Sequence, residues 1–102
     1  MQPELSQIDF QQKVATGKVL VEFFATWCPH CQRQQPITDE AADMLRGEVS
    51  VYQVDVDKNP ELAQEYAPNG FPTYVLFENG APVAEHVGEW PLPSLLEMVK
   101  AN

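Results

Sequence analysis

The sequence contains few of the residues on which several common classes of protein depend. Its 102 residues include only two cysteines, which excludes a framework of several disulfides. Lysine and arginine number 6 against 15 aspartates and glutamates, and the resulting net charge of -9 argues against nucleic acid and anionic membranes as partners. The apolar runs are too short to span a bilayer. Length and a hydrophobic fraction of 44% predict one soluble domain covering residues 1–102.

An export signal and a metal site are also not expected. Met1-Gln2-Pro3-Glu4-Leu5 has no basic stretch followed by an apolar one, so we predict a cytoplasmic protein without a signal peptide. In that compartment two neighbouring cysteines are more often catalytic or metal-binding than structural. Zinc needs about four ligands, and His86 is the only histidine outside the cysteine segment. Covalent haem attachment requires a histidine at position 32, which is Gln32.

Both cysteines lie in the segment Trp27-Cys28-Pro29-His30-Cys31, directly after the apolar run 19–25. The run predicts a strand covered on both faces, and the cysteines then open a long helix that ends before Gly47. Residues i and i+3 share a helix face, so both thiols point to the same side. The first thiol lies among unpaired N–H groups at the positive end of the helix dipole, which favours the reactive thiolate. This placement is typical of dithiol–disulfide exchange.

The other segments predict an α/β sandwich. Ser6 is expected to cap the first helix, Asn59 to cap the third, and Asn79-Gly80 to form a hairpin turn whose returning strand, flanked by Pro82, lies at the sheet edge. The order of elements indicates a mixed sheet between helices. We predict helices over about 7–15, 28–46, 60–66 and 91–100, and strands over about 19–25, 49–56, 73–77 and 83–87.

Six features of the sequence occur together along nearly the whole chain. They are Trp27-Cys28-x-x-Cys31 after a strand, Pro36 in the following helix, Asp55-Val56-Asp57 with Asn59-Pro60, Gly70-Phe71-Pro72-Thr73, the run to Phe77 with Asn79-Gly80, and Gly88. In this combination the chain resembles the thioredoxin family. The resemblance implies a thioredoxin fold, in which a mixed central sheet of four to five strands is flanked by helices on both faces.

The resemblance also implies an activity and partners. The protein would be a thiol–disulfide oxidoreductase that reduces protein disulfides, with no cofactor beyond the redox-active Cys28–Cys31 disulfide. Cys28 would attack the substrate disulfide, and Cys31 would resolve the mixed disulfide that forms. Disulfide-containing proteins and an electron donor like thioredoxin reductase are the implied partners, within electron transport and cell redox homeostasis, and we expect a monomer.

The chain departs from the family pattern at three places near the cysteines. Pro29-His30 replaces the usual Gly-Pro and is similar to the dipeptide of disulfide oxidases of the DsbA type. A protonated His30 would stabilise the Cys28 thiolate, so we expect a more oxidising couple, unless His30 is only a solvent-facing spacer. The family's buried aspartate is Glu22 here, and its usual lysine partner is Gln53. The short N-terminal segment predicts that the family's first strand is stunted or absent.

Glu22 is the only acid in its apolar strand, and burial without a cation would raise its pKa. By resemblance, its role is to take a proton from Cys31, directly or through water. The alternative is a side chain that reaches the sheet edge or a polar partner. Asp55 and Asp57 are interpreted as a solvated turn before Asn59 rather than as metal ligands.

The predicted docking surface surrounds the cysteines and consists of Trp27, Phe71, Pro72 and Gly88, with Pro29 beside them. By resemblance, the bond before Pro72 is cis and exposes the Phe71 backbone to an extended substrate. Core packing is the alternative for Trp27.

Pro36 is interpreted as structural, because a proline inside a helix bends it. Two rival functions stay open at this point. One is a disulfide oxidase or isomerase that uses the same residues, and the other is a redox-inert scaffold or metal carrier.

Overall fold

The computed structural model describes all residues 1–102 and contains the mixed sheet with helices on both faces that the sequence predicts. The strand order is β2-β1-β3-β4, in which β1 runs parallel to β2 and antiparallel to β3, and β3 runs antiparallel to β4. The elements in chain order are α1 (Phe10–Val14), β1 (Lys18–Phe24), α2 (Pro29–Met44), β2 (Ser50–Asp55), α3 (Pro60–Tyr66), β3 (Thr73–Glu78), β4 (Ala81–Val87) and α4 (Leu92–Ala101).

Strand β1 is almost entirely apolar because it lies inside the sheet and is covered on both faces. One face packs against α1 and α3, where the Phe10 ring lies 5.5 Å from Phe77 and 6.3 Å from Phe23. The other face packs against α2 and α4 through a second cluster that includes Leu20, Leu45, Leu76, Leu95 and Val99. The end of β1 that leads into the cysteine segment is therefore held between two neighbouring strands and two helical layers.

Helix α1 is shorter than predicted, and Ser6 does not cap it. The backbone N–H of Ser6 donates to Oδ1 of Asp9 at 2.8 Å, and the Ser6 hydroxyl donates to the same atom at 3.3 Å. The Asp9 carboxylate thus closes a turn around Ser6, and the helix begins only at Phe10. The predicted start at residue 7 was wrong, because residues 7–9 form a turn in which the Ser6 hydroxyl donates to Asp9 instead of accepting a backbone N–H of the helix.

Asn59 precedes α3 as predicted, but its side chain makes no capping hydrogen bond to that helix. Its amide nitrogen donates to the carbonyl oxygen of Asp55 at 3.0 Å, and its amide oxygen accepts from the backbone N–H of Gln7 at 3.0 Å. Asn59 therefore ties the N-terminal segment to the end of β2 instead of capping α3.

The two edges of the sheet, at β2 and at β4, differ. Beyond β2, the N-terminal segment adds only a single parallel bridge between Glu4 and Gln53, so the first strand of the family is stunted, as expected. Strand β4 forms the other edge, as predicted, although Pro82 lies inside the strand rather than beside it. Pro82 faces Phe77 where the β3–β4 register shifts, a place that tolerates the missing N–H.

Helix α2 carries Pro36 in its interior and ends at Met44, before Gly47. None of the four helices is both long enough and apolar enough to cross a membrane.

We predict that Phe10→Ala lowers the free energy of unfolding by about 3–5 kcal/mol, because it removes a fully buried ring and leaves a cavity. Urea denaturation monitored by circular dichroism measures this change. Ile8→Ala is the matched control, since Ile8 is 97% exposed and should cost less than about 0.5 kcal/mol. Similar losses in both variants would contradict the packing role assigned to α1.

Candidate active site

The two cysteines occupy the start of α2, as predicted. Cys28 is the N-cap residue in an extended conformation, and Cys31 lies one turn inside the helix. Both side chains are nearly buried, with relative exposures of 6% for Cys28 and 4% for Cys31, and both thiols are free. The Cys28 Sγ lies 3.9 Å from the carbonyl oxygen of Phe71. The thiols therefore lie against the loop that carries Phe71-Pro72.

Trp27 lies on the surface beside Cys28, so the core-packing alternative is wrong. Its side chain is 61% exposed, and its indole N–H donates to Oδ2 of Asp57 at 2.8 Å. The Trp27 ring meets the Phe71 ring edge-on, with 6.3 Å between the centroids. An exposed indole fixed by a hydrogen bond presents a rigid apolar surface next to the reactive pair.

The predicted docking residues are neighbours in the structure. The Phe71–Pro72 peptide bond is cis, as the resemblance implies. The N–H of Gly88 donates to the carbonyl oxygen of Pro72 at 2.7 Å, which joins the end of β4 to the loop before β3. Trp27 and Phe71 therefore lie next to Cys28, and Pro72 and Gly88 are joined to them through the Phe71 loop, while contact of these residues with a substrate stays a prediction.

Asp55 and Asp57 are not a matched pair of solvated acids. Asp55 is buried, and its Oδ1 accepts the backbone N–H groups of Asp57 at 2.9 Å and Lys58 at 3.3 Å. The prediction of a turn was right, but its solvation was wrong for Asp55, whose carboxylate builds that turn. No group of three or more histidine, cysteine, aspartate or glutamate side chains is placed to hold a metal ion.

The predicted influence of His30 on Cys28 considered the imidazole alone, but two charged side chains lie beside it in the structure. Its Nδ1 lies 2.6 Å from Oε2 of Glu89, in the loop after β4. Arg33 donates to both carboxylate oxygens of Glu89, at 3.1 Å through Nε and at 2.8 Å through Nη2. These hydrogen bonds, from Arg33 first and then from His30, lower the pKa of Glu89 to about 2. A protonated His30 is thus paired with a carboxylate.

Sequence reasoning missed Arg33 and Glu89. Two features of the sequence could have indicated them. Arg33 follows His30 by three residues and so shares its helix face, and Glu89 directly follows Gly88, which the resemblance places near the cysteines.

Glu22 is fully buried on β1, behind the cysteines. Its Oε1 accepts from the Thr38 hydroxyl at 2.8 Å and from the Gln53 amide at 3.1 Å, and its Oε2 has no hydrogen-bond partner. Burial raises the pKa of Glu22 to about 7, the Thr38 hydrogen bond opposes this rise, and the nearby Asp39 adds to it. Glu22 thus reaches polar partners but not the sheet edge, and Gln53 stands opposite it in the register where the family has lysine.

Cys31 is the thiol that needs a base. Burial, above all, raises the pKa of Cys31 to about 12, and interactions with Cys28 and Glu22 raise it further, while a hydrogen bond with the Ala25 backbone lowers it. Cys31 therefore stays protonated at neutral pH, close to a carboxyl that titrates there. Such an arrangement can pass a proton from a thiol to a carboxylate when Cys31 becomes a nucleophile.

Comparisons with known proteins agree with this geometry. The family model described as Thioredoxin matches residues 2–101. The chain is 44% identical over 91 residues to protein disulfide isomerase-like 2-3 of rice (Oryza sativa subsp. japonica), a match that covers 87% of this chain but only 21% of that protein. It is 36% identical over 96 residues to a thioredoxin of Staphylococcus aureus, which covers 94% of this chain and 92% of the bacterial protein.

Glu22→Gln should change how folding stability depends on pH. The carboxyl has a pKa of about 7 when folded and an ordinary value of 4.5, so the unfolded chain loses this proton first as pH rises. The free energy of unfolding therefore falls between these two pH values, by about 3 kcal/mol in all, and stays low above them.

Urea denaturation at about pH 5 and about pH 8 measures this fall, which we expect Glu22→Gln to remove. The control Glu85→Gln removes an exposed carboxylate of β4 and should retain the fall. An equal fall in Glu22→Gln and the unaltered protein would contradict the raised pKa.

Proposed function

The chain belongs to the thioredoxin family of thiol–disulfide oxidoreductases, and we propose that within this family it acts as a protein-disulfide reductase. The observation that carries the proposal is the placement of Cys28 at the N-cap of α2 with Cys31 one turn behind it. The N-cap faces the unpaired N–H groups of the first turn, which favour a negative charge on sulfur. The raised pKa of Cys31 keeps the second thiol protonated until it is needed.

The reaction proceeds in two exchanges. The Cys28 thiolate attacks one sulfur of the substrate disulfide, and the other substrate sulfur leaves as a thiolate. Glu22 then accepts the proton of Cys31, and the Cys31 sulfur attacks Sγ of Cys28. This second attack forms the Cys28–Cys31 disulfide and releases the remaining substrate thiolate, so two electrons pass from the cysteine pair to the substrate.

The docking surface supports a protein substrate rather than only a small disulfide. Trp27 is exposed beside Cys28, the partly buried Phe71 ring meets it edge-on, and the carbonyl oxygen of Phe71 lies next to the Cys28 sulfur. An extended segment that carries a disulfide could pair with the backbone at Phe71 while its side chains contact these rings.

Pro29-His30 favours a disulfide oxidase or isomerase as the second candidate function, because an imidazolium stabilises a nearby thiolate and so raises the reduction potential. The position of Glu89 argues against a large effect. Its carboxylate lies 2.6 Å from the His30 ring nitrogen and also pairs with Arg33, so it offsets part of the positive charge that would stabilise the Cys28 thiolate. This pairing is our reason for preferring the reductase.

We further propose a cytoplasmic monomer that receives electrons from a donor like thioredoxin reductase. The match covers 92% of a bacterial thioredoxin but only 21% of the rice isomerase-like protein. The proposal that this domain carries electrons as a separate protein therefore rests on its similarity to the bacterial thioredoxin.

Cys28→Ser should slow the dithiothreitol-driven reduction of insulin to the rate with dithiothreitol alone, because the attacking sulfur is lost. Cys31→Ser should still make the first attack and accumulate a mixed disulfide at Cys28. Turbidity of precipitating insulin B chains measures the reduction, and mass spectrometry identifies the trapped adduct. A redox-inert scaffold would give turbidity no faster than dithiothreitol alone, even with both cysteines present. An adduct at Cys31 rather than at Cys28 would reverse the assigned roles.

Glu89→Gln should raise the reduction potential. Without this carboxylate, the charges of Arg33 and a protonated His30 are left to stabilise the Cys28 thiolate, and so the reduced protein. Because these groups are exposed, we expect only about a threefold change in the equilibrium constant with glutathione. Glu85→Gln, which removes another exposed carboxylate, on β4, should change this equilibrium constant less. An unchanged or lower potential in Glu89→Gln would remove our reason for preferring the reductase.

A further inference from the structure

The Glu22 carboxyl is held by one oxygen only. Oε1 accepts two hydrogen bonds, from the Thr38 hydroxyl at 2.8 Å and from the Gln53 amide at 3.1 Å, whereas Oε2 has no partner in the protein. A carboxylate oxygen offers about two lone-pair sites, so Oε1 is fully used. A proton that binds this carboxylate therefore goes to Oε2.

The groups bonded to the Thr38 hydroxyl determine which of them donates a proton and which accepts one. A hydroxyl has one proton, and an ionised carboxylate can only accept, so Thr38 gives its proton to Glu22. The Tyr74 hydroxyl lies 2.5 Å from the Thr38 oxygen, and it must then be the donor in that second bond. All three side chains are fully buried, which leaves them no bulk water as an alternative partner. The result is a one-way chain that runs from Tyr74 through Thr38 to Glu22.

Backbone geometry places these groups together. Tyr74 on β3 is the register partner of Glu22 on β1, and α2 brings Thr38 over both. On the other side, Gln53 is the β2 register partner of Glu22, and its amide is fixed by reciprocal hydrogen bonds with Gln35 at 2.9 and 3.0 Å. Neither donor to Oε1 is free to rotate away.

We propose that Thr38 and Tyr74 are positioning residues for the proton transfer from Cys31, because they hold Glu22 by Oε1 and leave Oε2 as the atom that accepts the proton. This inference rests on the proposed function, since it concerns the second exchange. In that step the proton of Cys31 moves to Oε2, directly or through a water molecule. The electron pair of the Cys31 sulfur forms the bond to Cys28, and the substrate sulfur leaves with the pair of the broken bond. An acceptor held in place need not reorient during the transfer.

Among the groups around Glu22, Thr38 makes the hydrogen bond that opposes the rise of its pKa. Asp39 and Cys31 face it from α2 and Tyr74 from β3, and a negative charge on any of them opposes ionisation of Glu22, while β2 contributes only the neutral Gln53. Burial and Asp39 raise the pKa of Glu22, and the Thr38 hydrogen bond lowers it. Removing that bond leaves no charged group that would oppose the rise.

The first measurement is a pH titration of ¹³C-labelled glutamate by NMR in the oxidised protein, where neither thiol titrates. Thr38→Val, which preserves shape, should raise the pKa of Glu22 by about one pH unit, because a hydrogen bond to a charged group is lost. Thr38→Ser keeps the hydroxyl and should restore the original value. An unchanged pKa in Thr38→Val would overturn the proposal.

Tyr74→Phe tests the direction of the chain of hydroxyls. If Tyr74 donates to Thr38, its removal weakens the Thr38 bond and raises the pKa of Glu22 slightly, by about a third of a unit or less. If the direction were reversed, Tyr74→Phe would free the Thr38 proton for Glu22 and lower the pKa, which would overturn the proposal. The control is Tyr52→Phe, which removes a hydroxyl from β2 on the opposite face of the sheet and should leave the pKa unchanged.

The second measurement separates the two exchanges. In stopped-flow reduction of 5,5′-dithiobis(2-nitrobenzoate), the first coloured thiolate reports attack by Cys28 and the second reports resolution by Cys31. At about pH 7, Thr38→Val should slow the second release about fivefold and leave the first unchanged, and the difference should vanish well above the shifted pKa. Equal second-release rates at every pH would overturn the proposal while the oxidoreductase function stands. Loss of the first release in the unaltered protein would instead refute the proposed function, and the NMR titration, which needs no substrate, would still decide the positioning of Glu22.

Discussion

The burial of a carboxyl without a cation, inside the sheet, is the constraint on which the active site depends. Glu22 lies between Gln53 on β2 and Tyr74 on β3, in one row across three strands. A charge in such a place is costly unless hydrogen bonds satisfy it, and here they satisfy only one of its oxygens. The carboxyl therefore titrates near neutrality, which makes it able to accept a proton and to return it under ordinary conditions.

Much of the fold could be predicted because it depends on local patterns. The apolar run before the cysteines predicts a doubly covered strand, and Cys28 follows it as the N-cap of a helix. The predictions that failed depend on competition between neighbouring polar groups. Ser6 can cap a helix or bond to Asp9, and only the folded chain shows that the second bond forms. The position of Asp55 in the sequence likewise predicts a solvated acid, whereas in the fold it is buried and accepts the backbone N–H groups of Asp57 and Lys58.

The electrostatics of the site could be predicted least. The effect of His30 on Cys28 follows from their separation along the helix, but the charge that partly offsets it comes from Glu89, 59 residues further along the chain than His30. No periodicity in the sequence indicates that contact. It requires the β3–β4 hairpin to return the loop after β4 to the first turn of α2, where Arg33 fixes the carboxylate in place. The dipeptide between the two cysteines is therefore not sufficient to predict the reduction potential.

Glu22 and Glu89 thus have different pKa values because their surroundings differ. Glu89 is exposed and receives hydrogen bonds from cationic groups, so its pKa falls to about 2 and it stays charged at any ordinary pH. Glu22 is buried and receives only neutral donors, so its pKa rises to about 7. A permanent charge can tune the stability of the Cys28 thiolate but cannot carry a proton, whereas a group that titrates near neutrality can carry one but offers no fixed charge. The fold separates these properties by placing one acid at the surface, where it affects the charge near Cys28, and the other inside the sheet, where it can accept the proton of Cys31.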